Sequence, residues 1–75
     1  MQLTFFTGPQ CSLCDDAEEL LKNVSSPVQY KKVNIREHVD FYHLYAVRIP
    51  VLKRDDNGAE LGWPFDLDEL NRFLA

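Results

Sequence analysis

Apolar positions along the chain follow two different spacings. From Gln2 to Thr7 they are dense, with Leu3, Phe5 and Phe6 close together, which predicts a buried strand. Gly8-Pro9 breaks that run. From Leu13 the spacing lengthens: Leu13, Ala17, Leu20, Leu21 and Val24 fall at i, i+4, i+7, i+8 and i+11, one face of a helix. Asp15 and Asp16 lie in its first turn and Lys22 near its end, the signs that the helix dipole favours. Ser25-Ser26-Pro27 stops it, and Val28 to Ile35 predicts a second strand with Val33 and Ile35 on one face.

Arg36 to Tyr45 predicts a short helix in which Phe41 and Tyr45 are i, i+4 partners. Val51 to Arg54 predicts a third strand and Ala59 to Gly62 a fourth. Between them Asp55-Asp56-Asn57-Gly58 carries the Asn-Gly hairpin signal. A last helix begins near Asp66, which has capping-box spacing to Glu69; Leu67, Leu70, Phe73 and Leu74 supply its buried face. The order is β-α-β-α-β-β-α. The opening βαβ unit crosses right-handedly and makes strands one and two parallel. The hairpin makes strands three and four antiparallel. An α/β fold follows, a mixed four-stranded sheet flanked by helices.

Size and charge narrow the picture. The 75 residues are expected to form a single domain, 1–75. A chain this short buries only about 60% of its unfolded surface. A composition of 45% hydrophobic and 12% aromatic residues still supports a core. The net charge of −4, from 12 acidic and 8 basic residues, argues against a nucleic-acid surface, which needs a basic patch. Lys31-Lys32 and Lys53-Arg54 are the only basic pairs, and each reads as a solvated strand face. Met1 to Phe6 has no positive n-region and too short an apolar run for a signal peptide, and no stretch could span a membrane. A monomer with no nucleic-acid or membrane partner is expected.

The chemistry is carried by Cys11-Ser12-Leu13-Cys14, the only cysteines, at the strand-to-helix junction. A sulfur at a helix start meets unpaired N–H groups and the positive dipole end, both favouring the thiolate. Cys11 precedes the first turn and is the expected nucleophile. Cys14, inside that turn and more buried, is the expected resolving thiol. A bridge across C-x-x-C closes too small a loop to remove much chain entropy, so a reactive dithiol in a reducing, cytoplasmic setting fits better than a structural disulfide. Asp15 and Asp16 oppose the thiolate, and no Lys or Arg occurs between Met1 and Leu21, so only a modest activation of Cys11 is expected. Cys11, Cys14, His38 and His43 form a nominal Cys2His2 set. The Cys14–His38 separation does not match a DNA-binding finger, and the two histidines share no helix face.

Three strings stand in an order used by the thioredoxin-like superfamily: Thr7-Gly8-Pro9-Gln10-Cys11-Ser12-Leu13-Cys14-Asp15, Arg48-Ile49-Pro50-Val51-Leu52, and Glu60-Leu61-Gly62-Trp63-Pro64-Phe65-Asp66. The chain resembles the small glutaredoxin-like proteins of that superfamily. The resemblance implies a thioredoxin-like fold and a thiol–disulfide oxidoreductase acting on protein or small-molecule disulfides. It implies no tightly bound cofactor, with glutathione as a co-substrate. It makes Ile49-Pro50 the cis-proline site facing the cysteines, with Ile49 offering a β-like edge to an extended substrate. It brings Trp63 near the site, offers Arg48 to a substrate carboxylate, and gives Asp66 a second role beside the glutathione amine. Ala46 takes a position where relatives place glycine, so a left-handed backbone there would strain it. The chain departs from glutathione-using relatives in three places. No basic residue precedes the cysteines, Gly62-Trp63 replaces Gly-Gly, and Ser12-Leu13 replaces Pro-Tyr. Weak glutathione coupling is therefore expected. The alternatives are a redox-inert interaction module on the same fold, a metal-binding module, or an iron–sulfur carrier.

Overall fold

A computed structural model describes residues 1–75. The elements are β1 (Gln2–Thr7), α1 (Ser12–Leu21), β2 (Gln29–Asn34), α2 (Val39–Tyr45), β3 (Val51–Arg54), β4 (Glu60–Gly62) and α3 (Leu67–Leu74). The sheet order is β2-β1-β3-β4. β1 is parallel to β2 and antiparallel to β3, and β3 is antiparallel to β4. This is the expected mixed sheet, and its arrangement is thioredoxin-like.

Side-chain alternation in β1 and β3 divides the core. Leu3, Phe5 and Leu52 point to one face, where Ala17 and Leu21 of α1 and Leu70 and Leu74 of α3 cover them. Phe6 and Val51 point to the other, where they meet Ile35 and Tyr45. Leu3, Ala17, Val51, Leu52 and Leu70 are completely buried. Each large member contributes about 1.5–3 kcal/mol by leaving water. α2 has only seven residues and covers the row holding Phe6 and Val51. The next row across the sheet, Lys31–Thr4–Lys53–Glu60, stays polar, as a half-wet face requires.

Four sequence expectations change locally. The helix predicted over Arg36–Tyr45 is two pieces: a 3₁₀ turn at Ile35–Glu37, then α2 after an extended His38 (φ −136°, ψ 103°). Asn34 causes the early turn, because its side chain accepts from the Arg36 N–H at 3.0 Å. That turn also takes Ile35 out of β2. Ala46 is right-handed (φ −53°, ψ −38°), so the condition under which it would be strained is not met. The β3–β4 connection is the loop 55–59 rather than a two-residue turn, and β4 starts at Glu60. Within that loop only Gly58 takes a positive φ, 74°, whereas the tight Asn-Gly turn needs it at both residues. The Asn57 side chain instead accepts from the Ala59 N–H at 2.9 Å. α1 ends at Leu21, yet Val24 still packs against the core. No helix is long and apolar enough to cross a membrane.

Candidate functional site

The end of β1 delivers the chain to Gly8-Pro9 and then to Gln10, which has φ 55°, a left-handed backbone on a non-glycine residue. Cys11 follows as the N-cap of α1, extended at φ −105° and ψ 98°. Its Sγ accepts from the Cys14 N–H at 3.1 Å, where a Ser or Asp cap would place an oxygen. A sulfur thus terminates the helix and receives one of its free donors. Cys11 and Cys14 are joined in a disulfide, with Cα atoms 5.2 Å apart, inside the normal range. Cys14 is 4% exposed, and Cys11 is half-buried.

The Ile49-Pro50 peptide is cis and lies beside the cysteine loop. The two segments are close neighbours: a methyl group on Gly8 would lie 3.0 Å from Ile49 Cδ1. Cys11, Ile49 and Trp63 are partly buried against one shared core cluster. The turn is held at both ends. The Arg48 and Ile49 N–H groups donate to the Tyr45 carbonyl at 2.8 and 3.1 Å, and the Trp63 N–H donates to the Pro50 carbonyl at 3.1 Å. The Ile49 carbonyl accepts no backbone hydrogen bond. Trp63 also precedes a cis proline, Pro64, and its ring stands edge-to-face with Phe65 at 5.0 Å.

Arg48 and Asp66 have partners within the chain. Arg48 Nη2 donates to Glu60 Oε1 at 3.3 Å, and its guanidinium lies 5.4 Å over the Tyr45 ring. Asp66 Oδ1 accepts from the Glu69 N–H at 2.8 Å as the N-cap of α3. The Tyr45 hydroxyl, on an otherwise buried ring, donates to Glu60 Oε2 at 2.5 Å. Burial and that carboxylate push the Tyr45 phenol up to about 12. The Tyr45 hydrogen bond and the Arg48 charge hold Glu60 below the usual carboxylate range.

A groove of about 430 Å³ opens beside the cysteine loop, between Gly8-Pro9-Gln10 on one wall and Arg36, Tyr42 and Ala46 on the other, with Ile35 and Ile49 also lining it. Arg36 and Tyr42 are residues that sequence reasoning missed. Arg36 makes none of the three ion pairs of the chain, so its charge is free at the groove. The signal that could have found it is Asn34, whose side chain caps the 3₁₀ turn that carries Arg36. The set Cys11, Cys14, His38 and His43 is not assembled, and no three His, Cys, Asp or Glu side chains converge as metal ligands would. The His38 ring instead packs 5.4 Å from Phe41.

No curated protein matches this chain. Among solved structures, target protein XcR50 from X. campestris is similar at 35% identity and a TM-score of 0.87, over 96% of this chain and 93% of its own. A mutant thioredoxin from Halobacterium salinarum aligns at 22% identity and a TM-score of 0.71, over 96% of this chain and 69% of its own. Thioredoxin 1 from Thermosipho africanus aligns at 16% identity and a TM-score of 0.65, over 99% of this chain and 90% of its own. These two thioredoxins support the fold alone. The family described as "Glutaredoxin-like domain (DUF836)" matches residues 2–75. With its thioredoxin-like fold and its C-x-x-C disulfide at the start of α1, the chain belongs to this glutaredoxin-like domain family.

Proposed function

We propose that the protein is a thiol–disulfide oxidoreductase that uses Cys11 as nucleophile and Cys14 as resolving thiol. The observation that carries this reading is the placement of Cys11 Sγ at the N-cap of α1, accepting the Cys14 N–H at 3.1 Å beside the Ile49-Pro50 turn. In the reduced protein the Cys11 thiolate attacks one sulfur of a substrate disulfide. A mixed disulfide forms and the second substrate sulfur leaves as a thiolate. Cys14, deprotonated, then attacks Cys11 Sγ, which closes the Cys11–Cys14 bond and releases the first substrate sulfur. Two electrons pass from the protein to the substrate, and two protons complete the product thiols. A thiol donor must then reduce the protein disulfide.

The free Ile49 carbonyl supports docking of an extended segment through one backbone N–H of the substrate. Arg36 gives the adjoining groove a cation for an acidic substrate group. Arg48 and Asp66 remain second candidates for such contacts, since their partners Glu60 and the Glu69 N–H would have to share them. Trp63 would flank the substrate through its place beside Pro50. Protein disulfides in a reducing cytoplasm are the proposed substrates of a monomeric protein. Glutathione is a weak co-substrate in this reading.

The test is a thiol count. Fully reduced protein is mixed with excess of a synthetic peptide disulfide, and alkylation is followed by mass spectrometry. Loss of both protein thiols, with two peptide thiols appearing per protein, supports the reading. Retention of both protein thiols would overturn it.

A further inference from the structure

Tyr45 is 4% exposed, yet its ring ends in a hydroxyl that a buried site must satisfy. The ring stacks on Phe6 at 4.2 Å between centroids. The hydroxyl donates to Glu60 Oε2, and Arg48 donates to Glu60 Oε1 from above the same ring. Together Tyr45, Arg48 and Glu60 tie the C-terminal end of α2 to the first residue of β4.

What the tie encloses is the Ile49-Pro50 turn. Tyr45 holds that turn through its own carbonyl, which receives the N–H groups of Arg48 and Ile49. β4 holds it from the other side, because Trp63 follows Gly62 and donates to the Pro50 carbonyl. The position of Ile49 is therefore set by two elements, and the Tyr45–Glu60 bond fixes those elements to each other. Neither the Tyr45 hydroxyl nor Glu60 lines the groove beside Cys11.

We propose that Tyr45 and Glu60 are positioning residues, which fix the Ile49 carbonyl edge against the Cys11 loop and so set how well an extended disulfide substrate docks, without touching it. The proposal rests on the oxidoreductase reading and adds to it a device that governs peptide substrates but not small ones. A disulfide with no peptide backbone does not use the Ile49 edge. Its reaction with Cys11 depends on the thiolate alone.

The experiment compares Tyr45→Phe, Glu60→Gln and Glu60→Ala with the unaltered chain, all in reduced form. Stopped-flow rates are measured with two probes: 5,5′-dithiobis(2-nitrobenzoate), and an extended peptide whose cysteine is joined to thionitrobenzoate. Tyr45→Phe and Glu60→Ala are expected to slow the peptide reaction about tenfold while changing the small-disulfide rate less than about twofold. Glu60→Gln keeps a neutral acceptor for the Tyr45 hydroxyl and is expected to recover most of the peptide rate. The Cys11 thiolate titration is expected to stay in place in all three. Peptide and small-disulfide rates that fall together, or a peptide rate that does not fall, would overturn the proposal. Hydrogen exchange supplies an arm that needs no activity. The Ile49 and Arg48 amides are expected to exchange faster in Tyr45→Phe, and unchanged exchange would also overturn it. An unaltered chain that reacts with neither probe would instead refute the oxidoreductase reading, while the exchange arm still decides whether Tyr45 anchors the turn.

Discussion

A methyl group on Gly8 would lie 3.0 Å from Cδ1 of Ile49, closer than ordinary van der Waals contact. The cysteine loop and the proline turn are thus close neighbours, and an added carbon would require the end of the Ile49 side chain to give by a few tenths of an ångström. Gly8→Ala is expected to push the end of the Ile49 side chain aside and to change stability by no more than about 1 kcal/mol, since the restricted unfolded chain offsets part of the crowding. It is also expected to slow the reaction with extended peptide disulfides. Denaturant midpoints and stopped-flow rates on the same variant check both parts, and a larger stability change or an unchanged rate would contradict them.

Gln10 has φ 55°, immediately before the nucleophile. The left-handed region costs an L-residue with a Cβ roughly 1–2 kcal/mol, and glycine avoids that cost. Gln10→Gly is expected to keep or slightly raise stability despite its looser unfolded chain. Gln10→Val, β-branched, is expected to lower it by at least about 1 kcal/mol. Thermal unfolding of the pair decides this; equal effects of the two substitutions would contradict the strain argument.

Stability should respond to pH at both ends. Glu60 and Glu18 lie below the usual carboxylate range, Glu60 chiefly through Tyr45 and Glu18 chiefly through Lys32. A depressed carboxyl stabilises the fold above its unfolded pKa, and that contribution is lost as pH falls through the folded value. Tyr45 has the opposite sign. Its phenol is raised to about 12, so its contribution is complete below the ordinary tyrosine value near 10 and is lost as pH rises from there toward 12. Denaturant midpoints measured from acid to alkaline pH should show a plateau with both flanks falling. Tyr45→Phe should flatten the alkaline flank, and an alkaline flank unchanged in that variant would contradict the assignment.

Asp66 separates a structural role from a binding one. Its carboxylate caps α3 through the Glu69 N–H. Asp66→Ala is expected to cost about 1 kcal/mol, the usual loss for an N-cap. Asp66→Asn and Asp66→Ser, which still cap, should recover most of it. If the same caps restore stability but not the glutathione-coupled rate, Asp66 also has a binding role. If they restore both, capping is its whole contribution.

The architecture was legible because the spacing of apolar residues changes where the elements change. Leu3, Phe5 and Phe6 mark β1, the i, i+4, i+7 set from Leu13 marks α1, and Leu67, Leu70 and Leu74 mark α3. The Cys11–Cys14 pair was legible because C-x-x-C lies at the junction of the first two. The 3₁₀ turn at Ile35–Glu37 was not, because one Asn34 side-chain bond to the Arg36 N–H decides it and a periodic pattern carries no trace of that bond. Missing the turn hid the groove, one side of which is lined by Arg36 and Tyr42 and the other by Gly8 and Gln10. The Arg48–Glu60 pair was not legible, because Glu60 becomes a neighbour of Arg48 only after β4 has paired with β3.

The most direct test asks which sulfur holds the substrate. Reduced Cys14→Ser and Cys11→Ser variants are each exposed to a synthetic peptide disulfide, quenched with acid and weighed by mass spectrometry, beside the unaltered chain. With Cys11 at the N-cap of α1 and Cys14 buried beneath it, Cys14→Ser should carry one peptide on Cys11 that persists. Cys11→Ser should react far more slowly. The unaltered chain should carry no peptide and be two hydrogens lighter, its own disulfide closed. A Cys11→Ser variant that is labelled as fast as Cys14→Ser, or an unaltered chain that ends with two alkylatable thiols, would contradict the account.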